Sequence, residues 1–286
     1  MNTAGRVDIH CHLLPMWDDG PRSMEDVLLM AQRAVENGVS GIFVTPHVGR
    51  DLSAMGLEVP AEAHRIPEAV QAVQEAIYKS GLELKLWPGA EVVIAPDLPE
   101  RLDRDAHLTL GGWNRHILLE LPPGVPWTRG VDDVLFKISL RGVTPIVAHP
   151  ERYPDVQRDL ANVRRAAARG VQFQLTAASI KGRGAERDTS ERLLKEGLIS
   201  FIASDAHSPH DVWPQQMEHI LNALIGSEHC QSLYRNANAL LPDSGISAKV
   251  PGNLELRSDK AETQSGRGLE TQRKGLAGLW ARLTSR

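Results

Sequence analysis

The amino-acid sequence predicts an α/β fold with a parallel sheet, because short apolar runs alternate with amphipathic segments along most of the chain. The apolar runs contain many β-branched residues, and several amphipathic segments end at a glycine, as helices commonly do. Seven strands with intervening helices are predicted, and seven such units can close into a barrel related to the eight-unit one. A hydrophobic fraction of 42% is enough for a sizeable core, and no internal repeat indicates a solenoid.

The predicted strands are apolar runs bounded by glycine, proline or polar residues. Pro145 is compatible with the fifth strand because it lies near the beginning of that strand. Strands that alternate with helices favour parallel pairing through right-handed crossovers. In chain order the predicted strands are residues 7–10, 41–45, 84–87, 116–119, 144–148, 171–175 and 198–203.

The first predicted helix begins after Ser23, whose side chain can cap it, and Asp26 three residues later gives a weaker version of the capping box. Val27 and Met30 contribute to an apolar face, and Gly38 ends the helix. The same reasoning predicts further helices at residues 67–79, 131–140, 160–169, 190–196 and 214–225.

Composition and charge exclude several classes of protein. The formal net charge of −4 gives no sign of general nucleic-acid binding. Cys11 and Cys230 are too few for a disulfide framework and fit a reducing compartment. The sequence shows neither the apolar segment of a signal peptide nor the roughly 18 apolar residues that a membrane-spanning helix needs. We therefore expect a soluble, cytoplasmic protein without a transmembrane segment; the oligomeric state is not predicted.

The composition changes after Leu241. Residues 243–273 are rich in Ser, Gly, Lys, Glu and Gln and poor in apolar residues, which is typical of disorder. A short amphipathic stretch near the end, residues 276–283, is either a frayed terminus or a docking peptide for a partner or membrane surface. We predict one domain at residues 1–241 and a disordered tail at residues 242–286.

Metal-binding side chains recur where the predicted strands end. The carboxyl ends of the strands in parallel α/β barrels carry the functional groups, and histidine together with carboxylate suits Zn²⁺, Mn²⁺ or Fe. Only the sixth strand lacks such a residue and runs into Thr176 and Ser179. The candidates are His10, His12, Asp18, Asp19, His47, Glu91, Glu120, His149, Asp205 and His207.

Each of these residues has a simpler interpretation when it is considered alone. A single His-x-His is often a surface coincidence, an Asp-Asp-Gly sequence is usually a turn, and a lone buried histidine is often only a packing residue. Their shared position at strand ends is hard to explain as coincidence. The pattern therefore predicts a hydrolase with a metal cluster.

Several motifs in this set resemble those of one known family. Residues 8–15 with Asp18-Asp19-Gly20 look like the start of the polymerase-and-histidinol-phosphatase (PHP) superfamily. More narrowly, they resemble the bacterial manganese-dependent tyrosine-protein phosphatases of capsule and exopolysaccharide operons. The resemblance covers roughly residues 6–240, and later motifs agree with it in order and spacing: Thr45-Pro46-His47, Gly89-Ala90-Glu91, Leu119-Glu120, Ala148-His149-Pro150-Glu151-Arg152-Tyr153 and Ala203-Ser204-Asp205-Ala206-His207.

The resemblance implies a distorted (β/α)₇ TIM-like barrel of the PHP type that holds three Mn²⁺ ions, with Fe or Zn as alternatives at some sites. Arg152 would bind the substrate phosphate as a catalytic residue. The implied ligand sets are His10, His12, Glu91 and Asp205 for the first ion, Glu91, Glu120 and His149 for the second, and Asp19, His47 and His207 for the third.

One departure from the family pattern concerns the substrate. The family commonly has a second phosphate-binding arginine a few residues after the last metal histidine, and residues 208–213 contain no arginine. Arg50 and His210 are the candidates to replace it.

The implied function is hydrolysis of a phosphate monoester by a hydroxide that bridges metal ions. The implied substrate is a phosphotyrosine protein, the tail of a tyrosine kinase that controls capsule or exopolysaccharide biosynthesis. The nearest alternative is a PHP-type phosphoesterase that acts on histidinol phosphate or a nucleotide.

More distant alternatives fit the sequence less well. A metal-dependent amidohydrolase usually recruits a bridging lysine, and no lysine ends a predicted strand. A cysteine-based phosphatase needs an arginine six residues after its cysteine, where this chain has Trp17 and Asn236. A catalytically inactive barrel that serves as a regulatory partner would not need so many polar groups on one face.

Overall fold

The computed structural model describes residues 5–53, 63–122 and 124–242. The predicted tail, residues 242–286, lies outside this part of the chain except for its first residue.

The described residues form parallel sheets, as the alternating pattern predicted. One sheet has the strand order β1-β2-β4, and the other has the order β3-β5-β6-β7-β8-β9, with every pair parallel. The strands are β1 (Arg6–Cys11), β2 (Val39–Val44), β3 (His47–Val48), β4 (Lys85–Pro88), β5 (Glu91–Val93), β6 (His116–Glu120), β7 (Thr144–Ala148), β8 (Gln172–Thr176) and β9 (Phe201–Ala203).

Helices connect the strands. The α-helices are α1 (Met24–Glu36), α2 (Ile66–Lys79), α3 (Leu98–Leu102), α4 (Arg129–Ser139), α5 (Pro154–Arg158), α6 (Ala161–Ala167), α7 (Ala177–Lys181), α8 (Ala185–Lys195), α9 (Glu218–Ile225) and α10 (Ser227–Ala239). Short 3₁₀ turns occur at Ala63–Arg65, Ala106–Leu108, Leu110–Gly112, Pro150–Arg152 and Pro214–Met217. Among the described helices, none is both long and apolar enough to traverse a bilayer.

The second and third predicted strands are each followed, after a short break, by a further strand that was not predicted, β3 and β5. Pro46 separates β2 from β3, since proline has no N–H for the ladder. Gly89 lies in the break between β4 and β5, where a Cβ would approach Leu110 Cδ2 to 2.9 Å. Glu91 N donates to Pro46 O across the two breaks at 3.0 Å. These breaks divide the ladder into two sheets.

The two ends of the strand series approach each other at β1 and the segment after β9. An isolated parallel bridge joins Cys11 to Ala206, and Asp205 N donates to His10 O at 2.8 Å. Residues from both sheets, including Ile9 of β1 and Leu118 of β6, share one buried apolar cluster. The described residues thus form an α/β fold with parallel sheets, but the ladder is not continuous around it. A closed seven-unit barrel stays a prediction.

The capping signal predicted for the first helix is confirmed. The Ser23 side chain accepts a hydrogen bond from Asp26 N and caps α1.

The last predicted strand is too long, because Leu198 N donates to Leu193 O and closes the C-terminal turn of α8 instead. Helix α10 was not predicted; Asn236 and Asn238 on it bond to Ser200 O and Val7 N, so it covers the amino ends of β9 and β1.

Candidate metal centre

Nine ligand-type side chains gather at the carboxyl ends of the strands. They belong to β1, to the loop that follows it, to the first residues of β3 and β5, to the end of β6 and to the segments after β7 and β9. They are His10, His12, Asp19, His47, Glu91, Glu120, His149, Asp205 and His207, the residues that the sequence predicted. Glu91 and His47 begin the second halves of interrupted strands, which is why they point into the same space as the other strand ends.

The first group of ligand atoms comprises His10, His12, Glu91 and Asp205, all of them buried. His10 Nε2 lies 3.2 Å from Asp205 Oδ1 and 3.3 Å from Glu91 Oε2. His12 Nε2 lies 3.3 Å from the same Glu91 oxygen. Ligands that bind one ion at about 2.1 Å are separated by roughly 3.0 to 3.4 Å, so this group has the spacing of a single metal site.

The second group comprises His12, Asp19, His47 and His207. His207 Nε2 lies 3.3 Å from Asp19 Oδ1, and His47 Nε2 lies 3.5 Å from the same oxygen. The side chains of Asp19 and His207 are 19% and 28% exposed, whereas those of the first group are at most 3% exposed. This group therefore lies at the open side of the cluster.

The third group comprises His47, Glu91 and Glu120. His47 Nδ1 lies 2.9 Å from Glu91 Oε2 and 3.2 Å from Glu120 Oε1. His149 lies outside the three groups but contacts Glu91, which belongs to two of them, since its Nε2 is 2.7 Å from Glu91 Oε1. Of the residues expected to hold the second ion, His149 therefore contacts only Glu91, and His47 lies beside Glu120 where His149 was expected.

Unpaired atoms within the cluster fit a bound cation. Asp19 Oδ1, His47 Nδ1, Glu91 Oε2 and Glu120 Oε1 are buried and make no hydrogen bond in the described structure. Each of these atoms lies 2.9 to 3.5 Å from a ring nitrogen or a carboxylate oxygen of the same cluster. Buried polar atoms without partners are rare and destabilising, and metal ions would satisfy them because the donor set is imidazole and carboxylate.

The carboxylates give the site a negative field. Burial opposes the charged form of His47, but the charge of Glu91 raises the pKa of His47 to about 9. Burial also opposes protonation of His10, yet the charges of Glu91 and Asp205 raise its pKa. The imidazoles in turn hold the pKa of Glu91 and of Asp205 well below the usual range, against the effect of burial. A site that favours protons on its imidazoles also attracts metal cations.

Neighbouring side chains orient the imidazoles. Asp18 Oδ2 accepts from His12 Nδ1 at 2.8 Å and from His47 N at 2.9 Å, and Gln174 Oε1 accepts from His10 Nδ1 at 2.9 Å. The bonds from His12 Nδ1 and His10 Nδ1 fix the tautomers of these two imidazoles and leave Nε2 free to bind a metal ion, as is usual around metal-binding histidines. The bond from His47 N holds the backbone at that residue. The structure thus separates the roles of Asp18 and Asp19. Gln174 lies in β8, the strand for which the sequence predicted no metal ligand, and nothing in the sequence distinguished this residue.

Asp8 is another buried carboxylate that the sequence analysis did not count as a site residue. Its Oδ1 accepts from His10 N and from Ser204 N, each at 3.2 Å, so it joins β1 to the end of β9. Burial raises the pKa of Asp8 to about 6, although these hydrogen bonds oppose the shift. Its position two residues before His10, on the same side of the strand, could have identified it as a site residue.

The predicted substrate-binding residues lie in different places. Arg152 Nη1 is 2.7 Å from Asp205 Oδ2, and Arg50 Nη1 is 2.6 Å from Glu120 Oε2. Both side chains are partly exposed, at 38% and 26%. His210 is exposed and belongs to none of the three ligand groups. The structure therefore brings both arginines to the rim of the cluster but not His210.

Two of the site residues have unusual backbone conformations. The φ angles are 34° for His149 and 52° for Asp205, in the left-handed region that residues other than glycine rarely adopt. Such strained positions cluster at functional sites because the surrounding structure must hold them in place.

Known proteins match this chain over most of its length. It is 30% identical over 256 residues to the tyrosine-protein phosphatase YwqE of Bacillus subtilis, a match that covers 88% of this chain and 97% of YwqE. It is 26% identical to the tyrosine-protein phosphatase CpsB of Streptococcus agalactiae serotype III, with 84% of this chain and all of CpsB covered.

A solved structure agrees with these relatives. The matching chain comes from a study of YwqE from Bacillus subtilis and CpsB from Streptococcus pneumoniae, described as unique metal-dependent tyrosine phosphatases. The TM-score is 0.76 at 30% identity, and the match covers 86% of this chain and 98% of the other. The family model for capsular polysaccharide synthesis, CpsB/CapC, matches residues 6–242. The resemblance predicted from the strand-end motifs is confirmed, and the chain belongs to the CpsB/CapC family.

Proposed function

We propose that this protein is a metal-dependent phosphomonoester hydrolase that dephosphorylates phosphotyrosine in proteins. The observation that carries the proposal is the convergence of nine imidazole and carboxylate side chains beside a partly exposed arginine, Arg152. The names of YwqE and CpsB, tyrosine-protein phosphatases at 30% and 26% identity, support the same activity.

The cluster would hold three ions, which we propose to be Mn²⁺. A neutral imidazole offers one lone pair and one N–H, so His47 can serve as a ligand through only one nitrogen. With His47 Nε2 in the group of Asp19 and His207, the Glu91 and Glu120 carboxylates need another imidazole. His149, whose Nε2 lies 2.7 Å from Glu91, would complete that site. Glu91 would then be shared between two ions.

The reaction is the transfer of a phosphoryl group to water. Divalent ions, when bound, neutralise phosphate charge and lower the pKa of water enough to supply the nucleophile. The water oxygen forms a bond to phosphorus and the bond from phosphorus to the tyrosine oxygen breaks, which yields inorganic phosphate and tyrosine. A phenolate is stable enough to leave with little help from an acid, since the pKa of the corresponding phenol is near 10.

Arg152 would bind the phosphoryl oxygens. Its planar guanidinium suits two oxygens at once, and its contact with Asp205 keeps it at the rim of the cluster. We propose Arg50 as the second arginine, because it approaches the cluster from Glu120, a different carboxylate. His210 is the weaker candidate, since it is exposed and outside the ligand groups.

Finer features complete the proposal. The consecutive parallel strand order and the contacts between β1 and the segment after β9 support a distorted (β/α)₇ barrel. The free cysteines Cys11 and Cys230 fit a cytoplasmic location. The capsule-synthesis family supports a partner in polysaccharide biosynthesis, and we propose the phosphorylated tail of a bacterial tyrosine kinase.

Metal-depleted protein supplied with Mn²⁺ tests this function. We expect hydrolysis of a phosphotyrosine peptide to depend on added Mn²⁺ and to be lost in His10→Ala. Arg152→Ala should weaken turnover, whereas Arg141→Ala should not, because Arg141 is partly exposed and pairs with Asp103. Activity that is indifferent to metal, or intact in His10→Ala, would contradict the proposal.

Histidinol phosphate and nucleoside monophosphates measured in parallel separate the alternative. A phosphotyrosine phosphatase should hydrolyse the peptide with the highest kcat/KM. A higher kcat/KM on either small phosphate would identify a small-molecule phosphoesterase that uses the same metal centre.

A further inference from the structure

The segment from His149 to Tyr153 holds Arg152 between two side chains that do not enter the metal cluster. Glu151 is completely buried, and Tyr153 packs against the core with its ring 5.8 Å from that of His149. Arg152 itself points to the rim, where the contact that the structure gives it is with Asp205. The backbone on both sides of this arginine is therefore held from within the protein.

Tyr153 ties the segment to the ends of two strands. Its hydroxyl donates to Ala148 O at the end of β7, at 2.9 Å. The same hydroxyl accepts from Leu121 N just after β6, at 3.0 Å. One phenol oxygen thus connects two neighbouring strand ends to the residue that follows Arg152.

Glu151, the residue before Arg152, is hydrogen-bonded to a third strand and to a helix. Its Oε1 accepts from Thr176 N at the end of β8, at 3.0 Å, and its backbone carbonyl accepts from Gln157 Nε2 in α5, at 2.9 Å. Burying a carboxylate without a hydrogen-bond partner is costly, and Thr176 N supplies a partner for Glu151. Its side-chain bond serves the same segment that Tyr153 holds.

We propose that Glu151 and Tyr153 are positioning residues that fix the backbone around Arg152 so that its guanidinium stays directed at the phosphoryl group. The inference rests on the proposed function. A misplacement of a binding group by about 1 Å can reduce turnover by about a hundredfold, so the freedom of the Arg152 backbone to shift affects the reaction. Fixing the chain on both sides limits this freedom without any contact between the two residues and the substrate.

A double-mutant cycle tests this role. Tyr153→Phe removes only the hydroxyl, and Tyr234→Phe is the matched control, because Tyr234 also donates its hydroxyl to a backbone carbonyl, that of Pro214, beside Arg6 at the other end of β1. In Mn²⁺-loaded protein we expect Tyr153→Phe to lower kcat/KM for an aryl phosphate roughly tenfold and to weaken inorganic phosphate binding, measured by calorimetry. Tyr234→Phe should change neither quantity.

The cycle is completed in the Arg152→Ala background, where the loss from Tyr153→Phe should fall below about twofold, since the residue that it positions is gone. Glu151→Ala should resemble Tyr153→Phe, and Glu151→Gln should recover most of the loss because its amide oxygen can still accept from Thr176 N.

Three outcomes are distinct. If wild-type protein hydrolyses aryl phosphate and the Tyr153→Phe loss is the same with and without Arg152, this inference is wrong and the proposed function stands. Equal losses in Tyr234→Phe and Tyr153→Phe would also overturn it. If Mn²⁺-loaded wild-type protein neither hydrolyses the ester nor binds phosphate, the proposed function fails and this inference fails with it.

Discussion

Replacing Glu91 by glutamine probes the centre of the proposed metal site. The side chain is completely buried and belongs to two of the three ligand groups. Its oxygens lie 2.9 Å from His47 Nδ1 and 2.7 Å from His149 Nε2. Glu91→Gln keeps the shape and one carbonyl oxygen but removes the negative charge, so it separates electrostatics from packing.

The expected loss of metal affinity can be estimated from the attraction between a carboxylate and a cation. A unit charge pair at 4 Å is worth about 4 kcal/mol at an effective dielectric constant of 20. A loss of that size corresponds to roughly thousandfold weaker binding, at 1.4 kcal/mol per tenfold. The group of His12, Asp19, His47 and His207 does not include Glu91. Glu91→Gln should therefore lose two ions and keep one.

Metal analysis after dialysis against a limiting Mn²⁺ concentration measures this prediction, with calorimetric titration for affinity. Glu218→Gln is the control, because Glu218 pairs with Arg6 and belongs to none of the ligand groups. Three ions bound to Glu91→Gln at wild-type affinity would refute the assignment of Glu91 as a shared ligand. Loss of all ions with a folded protein would show that the three sites are coupled.

The remaining predictions concern the orienting residue, pH and the first helix. Asp18→Asn should weaken Mn²⁺ binding roughly 10- to 100-fold, measured by competition with a chelator, because Asp18 fixes the imidazole of His12 and the backbone of His47. The raised pKa of His47, about 9, means that its proton stabilises the metal-free fold fully below its unfolded pKa of 6.5 and that this stabilisation is lost as the pH rises through 9. Mn²⁺ must displace that proton, so calorimetry should find proton release and an affinity that increases from about pH 7 to 9. Ser23→Ala should lower the free energy of unfolding by about 1 kcal/mol in urea titrations without changing Mn²⁺ affinity, since the lost bond is the cap to Asp26 N.

The order of the fold could be predicted because each element has a local signal. Ser23 and Gly38 bound α1 through capping chemistry that acts within a few residues. Helix α10 has no comparable signal: it begins after Gly226, lacks a side-chain cap, and its buried residues include only a few large apolar ones. Asn236 and Asn238 bond to backbone more than 35 residues away, so the helix is placed by tertiary contacts that a local pattern does not contain.

The membership of the site could be predicted, but its internal pairing could not. Parallel strands place their carboxyl ends together whatever the side chains are, so His10, Glu120 and Asp205 could be assigned to one face from sequence position. Whether His47 or His149 stands beside Glu120 depends on side-chain rotamers and on the break at Pro46, which shifts His47 to the start of β3. Sequence spacing carries no information at that scale.

The orienting residues explain why the ligands alone are an incomplete description of the site. His149 and Asp205 have left-handed φ angles, and the buried carboxylates of Glu91 and Glu120 each have one oxygen that makes no hydrogen bond. Each of these features is unfavourable on its own, by about 1 to 3 kcal/mol for the backbone and a similar amount for an unsatisfied polar atom. They persist together because hydrogen bonds such as that of Asp18 to His12 fix the imidazoles while leaving their outer nitrogens free. A protein without a cation to bind would gain nothing from this arrangement, so the strain, the unpaired oxygens and the oriented imidazoles are best explained jointly, as the preorganised ligands of a metal cluster.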